Sequence, residues 1–446
     1  MTTSYHHCPT ATPIFGRLFI VLVLGAAGWA LASPIRPLAN EPLIIAESPD
    51  AKEHPLNNPS IVRLDSGRLV ITYQKSGVSK ESGQPWAFVL TSDDRGRTWA
   101  QRAAMGMTHG RLFTVGKSLY FLGHSGNLRV ARSDDEGMTW TQPVELTERQ
   151  SWHQTAANVW RANGNIYLVM ERRTEKNIDA WPVGELAPIL MRAREGDDLT
   201  LRTSWTFAGE LTFADVLPGY RQNELEIDYF GIPFYPQAYP KRTPLVGTRT
   251  FSPMGWLETN VVQITDPNHY WFDPSGHTFH LFMRANTGRT GYAALAKVVE
   301  MPDGTMQTML ETAPSGKKML YLPFPGGQMR FHVLYDEKTK LYWMLGTQAT
   351  DSMTRAEALP ADRFSTPDNE RQRMVLHFSK NMVDWCFAGV VAIGASAKES
   401  RHYACMAIDG NDLVILARSG DKNAHSAHDG NLITFHRVGG FRDLVY

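Results

Sequence analysis

The most restrictive feature of this sequence is a strand, turn and strand unit that recurs along most of its length. Short alternating apolar segments stop at Gly, Asp or Asn and then resume, as in SIVRLDSGRLVITYQ (60–74) and CMAIDGNDLVILAR (405–418). This pattern is typical of β-hairpins. Six such hairpins begin near residues 59, 110, 154, 258, 330 and 404. Repeats of this size, with about four strands each, predict an all-β, six-bladed β-propeller of four-stranded antiparallel blades.

Two segments outside the hairpins complete this prediction of a single propeller domain over residues 41–446. Residues 41–47, EPLIIAE, form an extra strand that we expect to complete the last blade and close the ring. Residues 213–255 interrupt the repeat with six prolines and several aromatic side chains. We interpret this insertion as an ordered cover on the ring. A two-sheet sandwich with long loops is the alternative fold.

The first 32 residues have the character of a secretory signal peptide. Residues 18–32, LFIVLVLGAAGWALA, form an uninterrupted apolar run that follows Arg17 and ends in Ala30-Leu31-Ala32. Such a run is short for a membrane-spanning helix and suits a signal sequence. We therefore expect a secreted or periplasmic protein that starts near Ser33 and keeps no stable membrane span. An uncleaved membrane anchor is the alternative.

Composition restricts the partners. The 45 basic residues balance the 45 acidic ones, so no electrostatic surface for nucleic acid is expected. Only Cys386 and Cys405 remain after signal cleavage, which is too few for a disulfide framework. We expect a monomer without cofactor or metal ion. His425 and His428, in KNAHSAHDG, are interpreted as part of a turn, with a metal site as the alternative.

One octapeptide occurs twice, as SDDRGRTW at 92–99 and SDDEGMTW at 133–140, and SKNMVDW at 379–385 is a degenerate third copy. The shared pattern, Ser-x-Asp-x-Gly-x-Thr-Trp, resembles the Asp-box (BNR repeat) of the sialidase superfamily of β-propeller glycosidases. In such a turn the Asp accepts backbone N–H bonds, the Gly supplies a positive φ, and the Trp packs between blades. In that family the boxes join the outer strands of a blade, away from the active centre. The resemblance therefore implies a fold, not a catalytic residue.

Candidate site residues follow from the predicted fold. The innermost strand of each propeller blade starts near the central axis, so its first polar residue faces the opening. These six residues are Asn58, His109, His153, Glu258, Arg330 and Tyr403. Their donors, acceptors and charges would converge on one ligand. The alternative is that each one only lines a water-filled channel.

The sialidase resemblance covers most of residues 50–440 and implies roles for several of these positions. WLETNVVQI and HLFMRANTG are similar to the strands that carry the catalytic Glu and a substrate-binding Arg, which places these roles at Glu258 and Arg284. RQRMVLHFS resembles the segment of another such arginine, Arg371, with Arg373 as a rival. HYACMAIDGNDLVILAR resembles the last blade, whose nucleophilic tyrosine would be Tyr403.

The sequence departs from the family at two points. The first clamp arginine belongs to a Tyr/Phe-Arg-Ile-Pro motif, and here Asn58 occupies its place in Asn57-Asn58-Pro59-Ser60-Ile61. The acid/base aspartate should follow about two dozen residues later, where the nearest acid is Glu81 in SKESGQPW. Glu81 is therefore either the acid or a solvated loop residue.

Three functions are compatible with these residues. The leading one is an exported exo-glycosidase that hydrolyses a terminal, acidic sugar, with Tyr403 attacking and Glu258 as its base. The second is a polysaccharide lyase on uronate-containing glycans, with His109, His153 and Tyr403 as base and acid. The third is a non-catalytic glycan-binding propeller. All three imply a glycan or oligosaccharide partner.

Overall fold

Each of the six hairpins belongs to an antiparallel sheet of four strands, one sheet has a short fifth strand in addition, and the sheets are arranged as the six blades of a β-propeller. The computed structural model describes residues 35–78, 86–153, 157–224, 238–244, 250–288, 290–353, 358 and 370–446. Residues 37–446 form one compact unit. The predicted fold is therefore confirmed.

The chain enters the ring through β1 (Leu43–Glu47) and then builds the first three blades from consecutive strands. Blade 1 consists of β2 (Leu56–Arg63), β3 (Leu69–Lys75), β4 (Ala87–Ser92) and β5 (Ala100–Met105). Blade 2 consists of β6 (Thr108–Val115), β7 (Ser118–Ser125), β8 (Asn127–Ser133) and β9 (Val144–Glu145). Blade 3 consists of β10 (Trp160–Ala162), β11 (Asn165–Arg173), β12 (Leu186–Arg194) and β13 (Trp205–Phe207).

The second half of the ring follows the same plan after a small hairpin of β14 (Thr243–Pro244) and β15 (Thr250–Phe251). Blade 4 consists of β16 (Gly255–Val262), β17 (Thr278–Asn286), β18 (Tyr292–Glu300) and β19 (Met306–Met309). Next come β20 (Glu311–Thr312), its partner β21 (Lys318–Met319), and β22 (Tyr321–Pro323), which pairs with β18. Blade 5 consists of β23 (His332–Asp336), β24 (Leu341–Thr347), β25 (Arg373–Ser379) and β26 (Cys386–Ile393). Blade 6 consists of β27 (Arg401–Asp409), β28 (Asp412–Ser419), β29 (Leu432–Val438) and β1.

The hydrophobic core lies between neighbouring blades. The middle strands are almost continuously buried, because a propeller blade is covered on both faces, and β17 is a clear case with eight buried residues in TFHLFMRAN. One cluster joins blades 1 and 6 through Leu69 and Phe435, and the next joins blades 1 and 2 through Val70 and Phe121. Outer strands such as β9 are short and exposed. The apolar contacts therefore hold each blade against the next.

The ring is closed by the N-terminal strand, as predicted. β1 pairs antiparallel with β29, with Leu43 opposite Phe435 and Glu47 opposite Leu432. Just before β1, the N–H groups of Leu38 and Ala39 donate to the carbonyls of Val390 and Val391 at the edge of blade 5. The segment therefore covers two sheet edges and joins the two ends of the chain.

The octapeptide turns have the predicted geometry in blades 1 and 2. Asp94 Oδ1 accepts the N–H of Arg97 (3.0 Å) and of Thr98 (2.9 Å), and the Ser92 hydroxyl accepts the N–H of Gly96 (2.8 Å). Hydrogen bonds from the Thr98 hydroxyl and the Thr98 N–H lower the pKa of Asp94 to about 2. The Trp99 ring packs edge-on against Phe435 of blade 6, with centroids 5.6 Å apart.

The second and third copies occupy equivalent turns between the outer strands of their blades. In blade 2, Asp135 accepts the N–H of Thr139 at 2.8 Å. In blade 5, Asn381 takes the place of the aspartate, and its Oδ1 accepts the N–H of Val383 (2.9 Å) and of Asp384 (2.8 Å). The degenerate segment 379–385 therefore forms the same kind of turn.

Two glycines at equivalent positions of the octapeptide turns allow a test of the contact between blades 1 and 6. Gly96 and Gly137 both have positive φ, of 88° and 84°, so alanine at either position strains the turn by about 1 kcal/mol. A methyl group at Gly96 would lie 2.5 Å from the Phe435 ring, whereas at Gly137 nothing lies closer than 3.4 Å. We expect Gly96→Ala to lower the free energy of unfolding by about 1–3 kcal/mol more than Gly137→Ala in denaturant titrations. Equal losses would contradict this account of the blade contact.

Helix is scarce in the described residues. It comprises α1 (Phe213–Val216) and 3-10 helices at Val183–Glu185, Arg202–Ser204, Tyr220–Gln222, Asp351–Met353 and Phe441–Leu444. Within the ranges given above, no helix is long and apolar enough to cross a membrane. The predicted signal segment, residues 1–32, lies outside them.

The predicted insertion, 213–255, is described only in part. Its beginning is packed into the core, where Phe213 and Tyr220 are fully buried with ring centroids 5.6 Å apart. The Tyr220 hydroxyl donates to the Met254 carbonyl at 2.6 Å, which ties this segment to the start of β16. Residues 225–237 and 245–249 lie outside the described residues, so the covering role of the insertion stays a prediction.

Candidate active site on the propeller axis

Four inner strands share one backbone feature, a non-glycine residue with positive φ at a shift in strand register. Asn58, His109, Glu258 and Tyr403 have φ values of 50°, 51°, 61° and 50°. At each of them the register with the second strand of the blade shifts, as at a β-bulge. Bulges re-aim side chains, and non-glycine residues with positive φ are uncommon and concentrate at functional sites. The repeat therefore presents four different side chains from equivalent positions.

Tyr403, Glu258 and Arg284 meet at one guanidinium nitrogen. Arg284 Nη1 donates to the Tyr403 hydroxyl oxygen at 2.8 Å and lies 3.4 Å from Glu258 Oε2. Arg284 Nε donates to the Gln328 carbonyl at 2.9 Å, which fixes the plane of the guanidinium. Glu258 is fully buried, and its Oε1 has no hydrogen-bond partner among the described residues. The structure thus brings together the predicted nucleophile Tyr403, the predicted base Glu258 and the predicted substrate-binding Arg284.

Three further buried arginines surround the Tyr403 ring. The Cζ atoms of Arg371, Arg418 and Arg330 lie 5.2, 5.6 and 5.9 Å from the ring centroid. Arg330 Nη1 donates to the Tyr403 carbonyl at 3.0 Å. Such a cluster of guanidiniums is suited to bind an anion, because planar forks can bind both oxygens of a carboxylate.

The geometry distinguishes the two rival arginines. Arg371 is buried and contacts His402 Nδ1 at 3.0 Å, next to Tyr403. Arg373 is half-buried and donates to the Thr350 hydroxyl at 2.9 Å. Arg371 is therefore the one that lies beside Tyr403.

Arg418 is a site residue that sequence reasoning missed. It lies on β28 opposite His402, and its side chain pairs with Asp429 Oδ1 at 3.5 Å. Burial and the neighbouring charge of Arg371 lower the pKa of Arg418 to about 10, so it remains protonated at neutral pH. The only signal in the sequence is a charged residue at the end of the apolar run LVILAR.

The side chains of Asn58, His109 and His153, which come from blades 1 to 3, are uncharged. Asn58 Nδ2 donates to Gln74 Oε1 at 2.7 Å, and the N–H of His109 donates to the same oxygen at 3.1 Å. The His109 ring stacks on His124 at 5.1 Å and lies 6.2 Å from His153. Burial lowers the pKa of His109 and of His153, so these imidazoles are neutral at pH 7. The site therefore has a cationic side and a neutral, hydrogen-bonding side.

Glu171 is a second residue that the sequence did not reveal. It is fully buried on β11, and its Oε1 accepts both the N–H (2.9 Å) and the hydroxyl (2.8 Å) of Thr259, the residue after Glu258. Burial raises the pKa of Glu171 to about 7. Because it binds the backbone next to Glu258, we interpret it as a positioning residue.

Comparison with solved structures places this arrangement among known folds. A mutant of Trypanosoma rangeli sialidase that displays trans-sialidase activity aligns with a TM-score of 0.51 and 15% identity, over 93% of this chain and 61% of that chain. The α-L-arabinanase of Penicillium chrysogenum, complexed with arabinobiose, aligns with a TM-score of 0.48 and 10% identity, over 92% of this chain and 100% of that one. Both neighbours are glycosidases. At these identities the likeness shows the fold alone.

No protein-family model and no curated protein sequence matches the chain. The sialidase resemblance therefore rests on the motifs in the sequence and on the shared propeller fold.

The pH dependence of the stability of Glu171→Gln tests the raised pKa of this buried carboxyl group. Because the folded pKa of Glu171 is raised from 4.5 to about 7, the folded state holds this proton more tightly than the unfolded state. Its contribution to stability is fully present below pH 4.5 and is lost as the pH rises through about 7. The loss is on the order of 3 kcal/mol. We expect the wild-type melting temperature to fall more than that of Glu171→Gln between pH 5 and pH 8. Parallel pH profiles would contradict this assignment.

Of the remaining residues named in the sequence analysis, the structure describes His425 and His428 but not Glu81. Glu81 lies outside the described residues, so its role as the acid stays a prediction. His425 and His428 belong to the connection between β28 and β29, where the N–H of His425 donates to the Asp429 carbonyl at 3.0 Å. Among the described residues, no group of three His, Cys, Asp or Glu side chains could hold a metal ion.

Proposed function

We propose that this protein is an exported glycoside hydrolase of the sialidase-like type, which removes a terminal acidic sugar from a glycan. Tyr403 is the nucleophile, Glu258 is its base, Arg371 and Arg418 bind the sugar carboxylate, and Arg284 in addition positions Tyr403 and Glu258. The observation that carries this proposal is the contact of one guanidinium, Arg284, with both the Tyr403 hydroxyl and the Glu258 carboxylate.

The chemistry explains why a tyrosine suits such a substrate. A carboxylate on the anomeric carbon repels an anionic nucleophile, whereas a neutral phenol avoids this repulsion until a base removes its proton. In the first step the Tyr403 oxygen bonds to the anomeric carbon, its proton passes to Glu258, and the bond to the leaving oxygen breaks. The leaving oxygen takes a proton from an acid, for which Glu81 is the candidate. Water then releases the sugar and restores Tyr403.

The arginine cluster supports an acidic substrate. Arg371 and Arg418 both lie within 6 Å of the Tyr403 ring centroid, so a carboxylate beside the anomeric carbon would meet their N–H groups. In this proposal Arg418 supplies the positive charge that the sequence lacks at Asn58. The neutral wall around Asn58 and His109 then binds hydroxyl groups.

A polysaccharide lyase is the second candidate, and the neutral imidazoles favour it. His109 and His153 lie side by side near the axis, and a neutral imidazole can remove the proton next to a uronate carboxylate. The arginines would neutralise that carboxylate, and Tyr403 would protonate the leaving oxygen. The product would carry a carbon–carbon double bond.

Product analysis separates these functions. The purified protein is incubated with fluorogenic sialosides, uronides and neutral arabinosides, and with uronate polysaccharides. We expect fluorophore release from an acidic sugar only. Ultraviolet absorbance of an unsaturated uronate would instead identify a lyase. Glycan binding without turnover across the panel would contradict both and identify a binding module.

A further inference from the structure

A concave site lies on the same axis at the other end of the ring. A cavity of about 390 Å³ is lined by the later residues of the inner strands: Ile61–Arg63 from blade 1, Arg111–Thr114 from blade 2 and Met406–Ile408 from blade 6. Tyr403 and His109 precede these residues on their own strands, so the cavity opens away from the candidate active site. Neither the proposed hydrolysis nor the lyase reaction uses it.

A layer of buried polar groups separates the cavity from Tyr403. Cys405 is fully buried, and its Sγ lies 2.7 Å from Arg111 Nη1 and 3.5 Å from Arg330 Nη2. Arg111 Nη2 donates to His332 Nε2 at 2.7 Å. Arg111 and His332 are at most 5% exposed, and both line the cavity.

The charges of this layer are unbalanced. In the described part of the chain, neither Arg111 nor Arg330 has a carboxylate within 4.0 Å, although other buried arginines do, such as Arg284 with Glu258. A buried guanidinium without a counter-charge is costly. Burial, together with the charges of Arg111 and Arg330, lowers the pKa of His332 well below its usual range, so the imidazole remains neutral. A negative charge is therefore needed beside Arg111.

Cys405 does not supply that charge in this geometry. Burial raises the pKa of its thiol, and the two guanidiniums outweigh burial and lower it. However, Sγ lies 3.0 Å from the Pro59 carbonyl oxygen, which accepts a hydrogen bond from a thiol and repels a thiolate. With Cys405 as a thiol, the positive charge of Arg111 remains uncompensated.

Within the described ranges, two buried donor groups, on Arg111 and His332, lack acceptors. Because Arg111 Nη2 donates to His332 Nε2, the proton of this neutral imidazole is on Nδ1. Both His332 Nδ1 and Arg111 Nε lack a hydrogen-bond acceptor among the described residues. Two donors without acceptors, next to an uncompensated cation, form the kind of site that an anion stabilises.

We propose that this cavity binds a small monovalent anion, a halide or a small carboxylate, beside Arg111 and His332. The bound anion balances the buried guanidinium and stabilises the centre of the ring where the blades meet. The proposal is independent of the enzymatic function, because the cavity and Tyr403 belong to opposite ends of the inner strands.

The test is the stability of the purified protein as a function of anion. Thermal unfolding is measured at constant ionic strength while gluconate is replaced by chloride, bromide or acetate. At a hundredfold excess over Kd, the melting temperature should rise by about 3 °C. A rise that Arg111→Met abolishes supports the proposal and identifies the class of anion, whereas a rise that persists in Arg111→Met would come from the arginines around Tyr403 and count against it. Arg111→Met should abolish the dependence, and Arg97→Met, at an exposed arginine, should keep it.

A second measurement does not depend on any variant folding. Crystals of the wild-type protein soaked in bromide should give an anomalous peak in the cavity next to Arg111 and His332. No thermal shift with any of the three anions, together with no bromide in the cavity, would overturn the proposal. Halide-independent melting with a thiolate absorbance near 240 nm that Cys405→Ser removes would also overturn it, since the thiolate would then be the counter-charge.

Discussion

Tyr403→Phe should lower kcat on the acidic substrate about a thousandfold or more, with the folded structure intact. Phenylalanine keeps the ring that packs between Arg371 and Arg418, and removes only the oxygen that Arg284 contacts. Losing one hydrogen bond costs about 1 kcal/mol of stability, so the melting temperature should change little. Losing the nucleophile removes the covalent route altogether. Steady-state kinetics with a fluorogenic sugar measure the effect.

The control for this variant is Tyr120→Phe. Tyr120 is also a buried tyrosine, but it lies in blade 2 on β7, away from the axis cluster. Its rate should equal that of the wild type. A Tyr403→Phe enzyme within about tenfold of the wild type would rule out a tyrosine nucleophile.

A trapping experiment separates a nucleophile from a tyrosine that only shapes the site. A fluorinated analogue of the acidic sugar should accumulate as a covalent adduct, and peptide mass spectrometry should locate it at Tyr403. The adduct should be absent in Tyr403→Phe. An adduct on Glu258 or Glu171 would replace the tyrosine mechanism with a two-carboxylate one.

The parts of the fold that repeat were predictable from the sequence. The hairpin pattern and the octapeptide depend on local turn chemistry, which the residue types alone determine. Asp94 and Gly96, for example, form the hydrogen bonds that any such turn needs. Ring closure followed from one unpaired strand before the first hairpin. The degenerate copy at 379–385 was recognisable because Asn381 accepts the same kind of bonds as an aspartate.

The repeat itself predicted only the site residues that open inner strands, and the sialidase resemblance added Arg284 and Arg371. Tyr403 and Glu258 open their inner strands, and the bulge at each of them directs the side chain to the axis. Arg418 and Glu171 lie on second strands instead, where burial looks the same for core and site residues. The strand register decides whether such a side chain points into the core or towards the site. The bulge shifts this register, and a single sequence does not reveal the shift.

Asn58, which stands where the family has an arginine, has a hydrogen-bonding role in this structure. The Asn58 amide donates to Gln74 instead of carrying a charge, and this hydrogen bond also orients the backbone of His109. In the proposed function, the positive charge that the family motif would place on blade 1 is supplied by Arg418 on blade 6. The carboxylate should therefore bind towards blades 4 to 6.

Arg284→Lys should reduce kcat/KM by about 100- to 1000-fold, mainly through kcat. Lysine keeps the positive charge but loses the planar fork that joins the Tyr403 oxygen, the Glu258 carboxylate and the Gln328 carbonyl. A tenfold loss in rate corresponds to about 1.4 kcal/mol, so this range equals two to three such steps. Arg373→Lys, at the half-buried arginine outside the cluster, is the matched control and should be unchanged.

The division between kcat and KM distinguishes the arginines from one another. Arg371 and Arg418 contact neither the Tyr403 hydroxyl nor Glu258 in this structure, so their lysine variants should raise KM, because they weaken binding of the carboxylate in ground state and transition state alike. Arg284 touches the reacting groups, so its variant should lower kcat at saturating substrate. If Arg284→Lys changed KM alone, Arg284 would be a substrate clamp like the others, and Glu258 would activate Tyr403 without its help.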